Sequence, residues 1–395
     1  MCEMGKGPNR IVCISDFCDD PHPGAPSADI GRDWSAAASP LIADDRRPPR
    51  VTGGYLERLP LAAVAAGLVD QAEIWSWTAH DERADSAAGR LTGAPDPDRP
   101  RLTRRVFRAD GHPAPYGSAD ARAHLAAAGA PDILCVWGLG VEAALLDACG
   151  GAVRIYNSID APALRIPDDV AARFDLFLTG AEWQSEAIRA RVPGARTLVL
   201  PIGPEFASGE TFHPTGAPKD RDVVYVACTQ PYKRHHVLFD ALAANPGTTA
   251  LLVVGYGHLT DELRADAARR GLDVEIVGPM PHDEVNRQIN RARVGVVCGR
   301  DDGAPAILTE YMLAGLPVLA NADLSCGLQY ITPETGLAAA EGPAFAAALR
   351  RLIDTADRYD PRPVALDRWG WPASIARLGA EIEAIRRARE GKDAA

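Results

Sequence analysis

Three side chains in the carboxyl-terminal half have the types and spacing to bind a phosphorylated, hydroxyl-rich molecule. Asp302 and Glu310 are two carboxylates with seven residues between them, and Lys233 stands in a polar loop earlier in the chain. The acids frame a loop, Asp302-Gly303-Ala304-Pro305, that runs into a helix-like stretch with proline suited to the first helical position. Free backbone amides at a helix start favour an anion such as phosphate. Carboxylates beside them suit hydroxyls, and a nucleotide sugar carries both groups. Taken alone, the pair reads rather as a solvated helix residue at Glu310 and a cap at Asp302.

The elements that must position these groups follow from the hydrophobic pattern. Residues 294–298 are an uninterrupted apolar run, which predicts a strand buried on both faces of a parallel sheet. A polar loop follows over 299–303, then a helix over 306–313 that stops at Gly315, then a strand over 317–320. This is a βαβ unit. The same alternation recurs along the chain, with strands predicted over 10–17, 72–77, 132–137, 153–157, 174–179, 197–200, 222–227, 250–255 and 274–277 and helical stretches between most of them. Residues 81–101 are polar and rich in Pro and Gly and read as loop, and residues 205–220 have the composition of a linker.

A chain of 395 residues is long enough for two substantial cores. With 47% hydrophobic and 24% charged residues it has the composition of an ordinary globular protein, and no apolar run approaches the ~20 residues needed to span a bilayer. A net charge of -11 without a basic stripe argues against a nucleic-acid partner. The eight cysteines show no CxxC spacing and fall mostly in strand-like runs (Cys13, Cys135, Cys298), so reduced structural thiols are expected rather than disulfides or zinc ligands. The opening MCEMGKGPNR has no apolar signal region, and a cytoplasmic location is the expectation.

The segment from Val294 to Ala320 resembles the donor-site motif of retaining GT-B glycosyltransferases of family 4. That motif is usually Glu-Gly-x-Pro-x-x-x-x-Glu-Ala-Met-Ala-x-Gly-x-Pro-Val. Here it stands as Asp302-Gly303-Ala304-Pro305, then Glu310-Tyr311-Met312-Leu313-Ala314-Gly315-Leu316-Pro317-Val318. The resemblance implies an α/β GT-B fold: two Rossmann-like domains facing each other across a cleft, with a carboxyl-terminal helix crossing back to the first. It places an acceptor-binding domain over residues 1–205, a nucleotide-sugar-binding domain over 206–370 and the returning helix over 371–395.

The activity implied is retaining transfer of a sugar from a GDP- or UDP-sugar to a small-molecule acceptor, with no metal, no cofactor and no protein nucleophile. Asp302 would hold the donor sugar, Glu310 the ribose, and Lys233 the diphosphate. The first acid is usually Glu, and the diphosphate-binding Arg of the family falls on Cys228, which supplies no cation; Arg234 is a candidate replacement. The donor-binding set also includes Gly53 and Gly54, Gln230, Gly278 and Met280, and Gly303, Ala304 and Leu308. Asn157, Ser158 and Asp160, with Trp137, are the acceptor-side candidates, and Ile159 falls where family members often carry a His.

Trp34, Trp75, Trp77 and Trp137 are expected near loops of the amino-terminal half that also carry Asp16, Asp19, Asp20, Asp29, Asp33 and Asp160. Aromatic faces beside carboxylates suit a cationic or zwitterionic acceptor such as an amine, betaine or thiol-bearing metabolite. Two other classes stay open. Gly138-x-Gly140-x-x-Ala143, with Asp160 further on, resembles a dinucleotide-binding fingerprint and would suit an NAD(P)-dependent dehydrogenase. A GT-B-fold sugar-nucleotide epimerase, or a nucleotide-sugar binder without catalysis, would fit the shortened acid and the missing Arg.

Overall fold

The computed structural model describes residues 9–19, 54–78, 94–96, 99–110, 114–303 and 305–393. They form two compact units. The first draws on the described residues of Met1–Val51, Leu56–Leu200 and Ile375–Ala395, the second on those of Thr52–Tyr55 and Pro201–Ser374.

The first unit is built on eight strands: β1 (Arg10–Asp19), β2 (Gln71–Thr78), β3 (Ala94–Asp96), β4 (Arg99–Arg108), β5 (Ile133–Trp137), β6 (Val153–Asn157), β7 (Leu176–Thr179) and β8 (Thr197–Val199). Their order is β3-β4-β2-β1-β5-β6-β7-β8, and every pair is parallel except β3 with β4. The connecting helices are α1 (Tyr55–Ala65), α2 (Ala119–Ala128), α3 (Ala143–Ala148), α4 (Asp168–Ala171) and α5 (Glu182–Arg191). Val12, Ile14, Leu134, Val136 and Tyr156 enter one core, while Ile11, Cys13, Ile133, Cys135 and Ile155 between them are also buried. Burial on both faces is the reason these strands read as continuous apolar runs.

Strands β3 and β4 were hidden from the sequence. Residues up to 101 read as loop, yet β4 begins at Arg99 and pairs with β2 from Leu102 to Arg108. Its run RPRLTRRVFR shows only two large apolar residues, Leu102 and Phe107, both buried. The arginines between them are held from neighbouring elements: Arg105 Nε donates to Glu73 at 2.8 Å, and Arg104 pairs with the buried Glu57. Carboxylates distant in sequence thus make a basic segment acceptable inside a sheet.

The second unit has six strands, β9 (Arg221–Val226), β10 (Ala250–Val253), β11 (Val274–Val277), β12 (Ala292–Val297), β13 (Val318–Asn321) and β14 (Gly336–Ala339). They are all parallel, in the order β11-β10-β9-β12-β13-β14, which in order of appearance is the 3-2-1-4-5-6 arrangement of a doubly wound nucleotide-binding sheet. Its helices are α6 (Ile202–Glu205), α7 (His235–Ala243), α8 (Thr260–Arg269), α9 (His282–Ile289), α10 (Ile307–Leu313), α11 (Pro343–Thr355), α12 (Pro361–Arg368) and α13 (Trp371–Asp393). Val223 and Tyr225 pack with α7 and α11 on one face, and Val224 packs with α10 on the other. From Ile375 onward α13 belongs to the first unit, where Arg389 pairs with Asp175 at 2.7 Å.

The seven described cysteines are free and buried. Among the described residues, no helix is long and apolar enough to cross a membrane.

Candidate functional site

In the second sheet the chain leaves β9 towards β10 and leaves β12 towards β13, on opposite sides. The loops after β9 and β12 therefore part at the carboxyl ends of adjacent strands, the place where doubly wound sheets bind ligands. Lys233 stands in the first loop and Asp302 in the second. They meet: Lys233 Nζ forms an ion pair with Asp302 Oδ2 across 69 residues of sequence. Both side chains are largely buried, at 17% and 11% exposed.

Close backbone approach makes the meeting possible. A Cβ on Gly299 would stand 3.2 Å from the Tyr232 carbonyl oxygen and 3.9 Å from Asp302 Oδ2. Tyr225 Oη donates to the Lys233 carbonyl at 2.6 Å, tying the β9 loop back to its strand, and Lys233 Nζ lies 4.9 Å from the centre of the Tyr232 ring.

Glu310 is placed by its neighbour. The Tyr311 ring lies against β12 where Gly295 leaves room, since a Cβ there would be 2.4 Å from the ring, and Tyr311 Oη accepts from Val226 N at 2.7 Å. That hydroxyl holds α10 to the end of β9. Glu310, 7% exposed, thereby stands in the helix directly after the Asp302 loop. Thr309 Oγ1 anchors the other side by donating to Pro204 O at 2.8 Å.

The other donor-side candidates divide. Cys228 is buried, and its Sγ lies 3.4 Å from Tyr232 Oη, so no cation stands at that position. Arg234 does not turn to the Lys233–Asp302 pair; its guanidinium is taken by Glu341, and its backbone is left-handed at φ 52°. Gln230 precedes the short turn that carries Lys233, Gly303 is buried beside Asp302, and Gly54 is buried at the start of α1. Leu308 lies in the core with its amide donating to Pro305 O at 3.2 Å. Gly278 and Met280 follow β11, the edge strand two positions from β9. Gly53 and Ala304 lie outside the described residues.

His235 was missed by sequence reasoning. It is 3% exposed, opens α7 two residues after Lys233, and packs against Tyr225 with ring centres 5.0 Å apart and the planes tilted by 43°. Neither ring nitrogen has a hydrogen-bond partner among the described residues. Burial, and then the charges of Lys233 and His236, push its pKa down to about 4, so it is neutral at physiological pH. Its place beside Lys233 was the available signal.

In the first unit, Asn157 and Ser158 follow one another at the end of β6, both buried, and neither side chain has a hydrogen-bond partner among the described residues. Asp160 pairs with Arg165 at 2.5 Å. The tryptophans correct an expectation. Trp75, Trp77 and Trp137 are at most 1% exposed; Trp75 donates to Glu73 and packs edge-on against Phe107, and Trp77 donates to the Ser15 carbonyl. They are core residues that offer no ring face to a ligand. Trp34, Asp20, Asp29 and Asp33 lie outside the described residues, as does the side chain of Asp19.

The dinucleotide fingerprint does not form either. Gly138 and Gly140 make a turn after β5, the helix starts only at Ala143 and is six residues long, and β5 is not the first strand of its sheet. A phosphate-binding turn needs the helix to open directly at the glycines.

Residues 210–361 match the family model described as Glycosyl transferases group 1. No curated protein matches the chain in sequence. Among solved structures, sucrose-phosphate synthase from Thermosynechococcus elongatus is 17% identical, with a TM-score of 0.64 over 96% of this chain and 100% of that one. HepE from Anabaena, in complex with UDP and glucose, is 15% identical, with a TM-score of 0.62 over 95% and 100%. The pneumococcal O-GlcNAc transferase GtfA, in complex with UDP and GlcNAc, is 15% identical with a TM-score of 0.56; there the match spans 68% of this chain and 60% of that one. The fold is GT-B. The matched residues lie in the second Rossmann-like unit and include the Lys233–Asp302 pair.

Proposed function

We propose that this protein transfers a sugar from a nucleotide-diphosphate sugar to a small-molecule acceptor, with retention at the anomeric carbon and without a metal. The observation that carries the reading is the Lys233–Asp302 ion pair at the switch point of the second sheet. A cation and a carboxylate held together at this place each have a separate partner in such a donor: the diphosphate for Lys233 and the sugar hydroxyls for Asp302. Donor binding would part them, and Glu310 would receive the ribose.

The departing diphosphate then takes the acceptor's proton on the face where the new bond forms, and Lys233 stabilises the charge that develops on it. With Cys228 in place of an arginine and Arg234 held by Glu341, Lys233 is the main side-chain cation assigned to the diphosphate. The family match supports the reaction class, and the UDP-bound neighbours make UDP-sugars the first donors to try alongside GDP-sugars.

A thermal-shift panel of nucleotide diphosphates and nucleotide sugars tests the reading. A ligand at 100 times its Kd adds ~2.7 kcal/mol of apparent stability, and the preferred nucleotide should lose most of that shift in Glu310→Ala. A panel without any shift, or one unchanged in Glu310→Ala, would remove the assignment.

A further inference from the structure

The first sheet has a switch point of its own, between β1, which leads to β2, and β5, which leads to β6 on the other side. Asp16 stands there. It lies in an irregularity of β1, between Ile14 paired with Trp75 and Cys18 paired with Trp77. Such bulges re-aim side chains and recur beside functional sites.

The carboxylate reaches over Gly138, the first residue after β5: a Cβ on Gly138 would stand 2.5 Å from Asp16 Oδ2, and its φ of 47° is one that glycine adopts freely. The next strand closes the place. Ile159 Cδ1 would be 2.8 Å from the same Cβ, Gly138 N donates to Asn157 O at 3.2 Å, and Tyr156 Oη donates to Gly138 O at 2.6 Å.

Two observations point to a ligand here. Among the described residues no ion pair engages Asp16, whereas Asp160 is already matched by Arg165, so two carboxylates face one guanidinium. Burial, and then the charge of Asp160, push the Asp16 carboxyl up to about 6 against its own backbone hydrogen bond and Arg165. At neutral pH it is therefore mostly ionised and short of a cation. Independently, Asn157 is fully buried with both amide atoms unpartnered, and Ser158 is 1% exposed with its Oγ unpartnered. Buried polar groups are almost always satisfied, so these three atoms call for partners that the described residues do not supply.

We propose that this crevice binds an ammonium-bearing acceptor, with Asp16 accepting hydrogen bonds from the ammonium group and Asn157 and Ser158 supplying neutral polar contacts. A hydroxyl could hydrogen-bond to Asp16 but would leave its charge uncompensated, whereas an ammonium neutralises it. The buried tryptophans leave charge as the means of recognition. The inference rests on the transferase reading in taking the guest to be the acceptor.

The test compares matched pairs, glucosamine with glucose and serinol with glycerol, by calorimetry and by nucleotide diphosphate release, with UDP and GDP binding measured on the same samples. The expected result is an amine bound at least about tenfold more tightly than its neutral partner, a preference lost in Asp16→Asn and partly kept in Asp16→Glu, with nucleotide affinity unchanged. Nucleotide binding without any amine preference in the wild type would overturn the inference and leave the transferase reading standing. An amine preference that survives Asp16→Asn would also overturn it. Absence of nucleotide binding would overturn the transferase reading and, with it, the assignment of this guest as acceptor.

Discussion

Replacing Lys233 by methionine separates its structural role from its functional one. In the wild type Lys233 and Asp302 neutralise each other with 17% and 11% of their side chains exposed. Removing the cation leaves the Asp302 carboxylate, in a residue 8% exposed, without its partner. Breaking a buried pair from one side costs about 3–5 kcal/mol, and the remaining exposure of Lys233 places the expected loss at about 3 kcal/mol. Deleting a transition-state donor lowers turnover by about 10²–10³, or about 2.7–4 kcal/mol. The double variant Lys233→Met/Asp302→Asn has no uncompensated charge, so most of the lost stability should return while turnover stays low. Urea denaturation of wild type, both single variants and the double variant gives the coupling, and nucleotide diphosphate release with the best-binding donor gives the turnover. A coupling below about 0.5 kcal/mol would show that the pair is not a unit. Recovery of turnover in the double variant would show that Lys233 does not act on the diphosphate.

Two further outcomes are expected. Burial alone would raise the pKa of Glu73, but the His124 ring 3.6 Å away, hydrogen bonds from Arg105 and Trp75 and the charge of Arg10 bring it down from 4.5 to about 2. Its contribution is present above the unfolded-state value and is lost as pH falls through about 2, so the destabilisation caused by Glu73→Gln should shrink by about 2 kcal/mol between pH 7 and pH 3 in urea titrations; an offset that does not change with pH would refute this. Gly295→Ala should crowd the Tyr311 ring, lowering stability by about 1–3 kcal/mol and weakening nucleotide affinity as α10 shifts; an unchanged melting temperature and affinity would show that Tyr311 does not position Glu310.

The alternation of strands and helices was legible along most of the chain because it is a local property. Residues 294–298 and 223–227 are apolar in succession since both faces of their strands are covered, and Gly315 and the prolines punctuate the helices wherever the chain finally runs. The spacing of Asp302 and Glu310 was legible for the same reason, as one loop and its helix carry both. Strand β4 was not, because what makes its arginines tolerable is Glu57 and Glu73 on other elements. The burial of Trp75 and Trp77, and the meeting of Asp16 with Gly138, depend on β1 lying between β2 and β5. The ion pair of Lys233 with Asp302 depends likewise on β9 lying beside β12, although β10 and β11 come between them in sequence. Strand order is set by how crossover helices cover both faces of a sheet, a property of the packed whole, and only that packing decides which distant residues share a site.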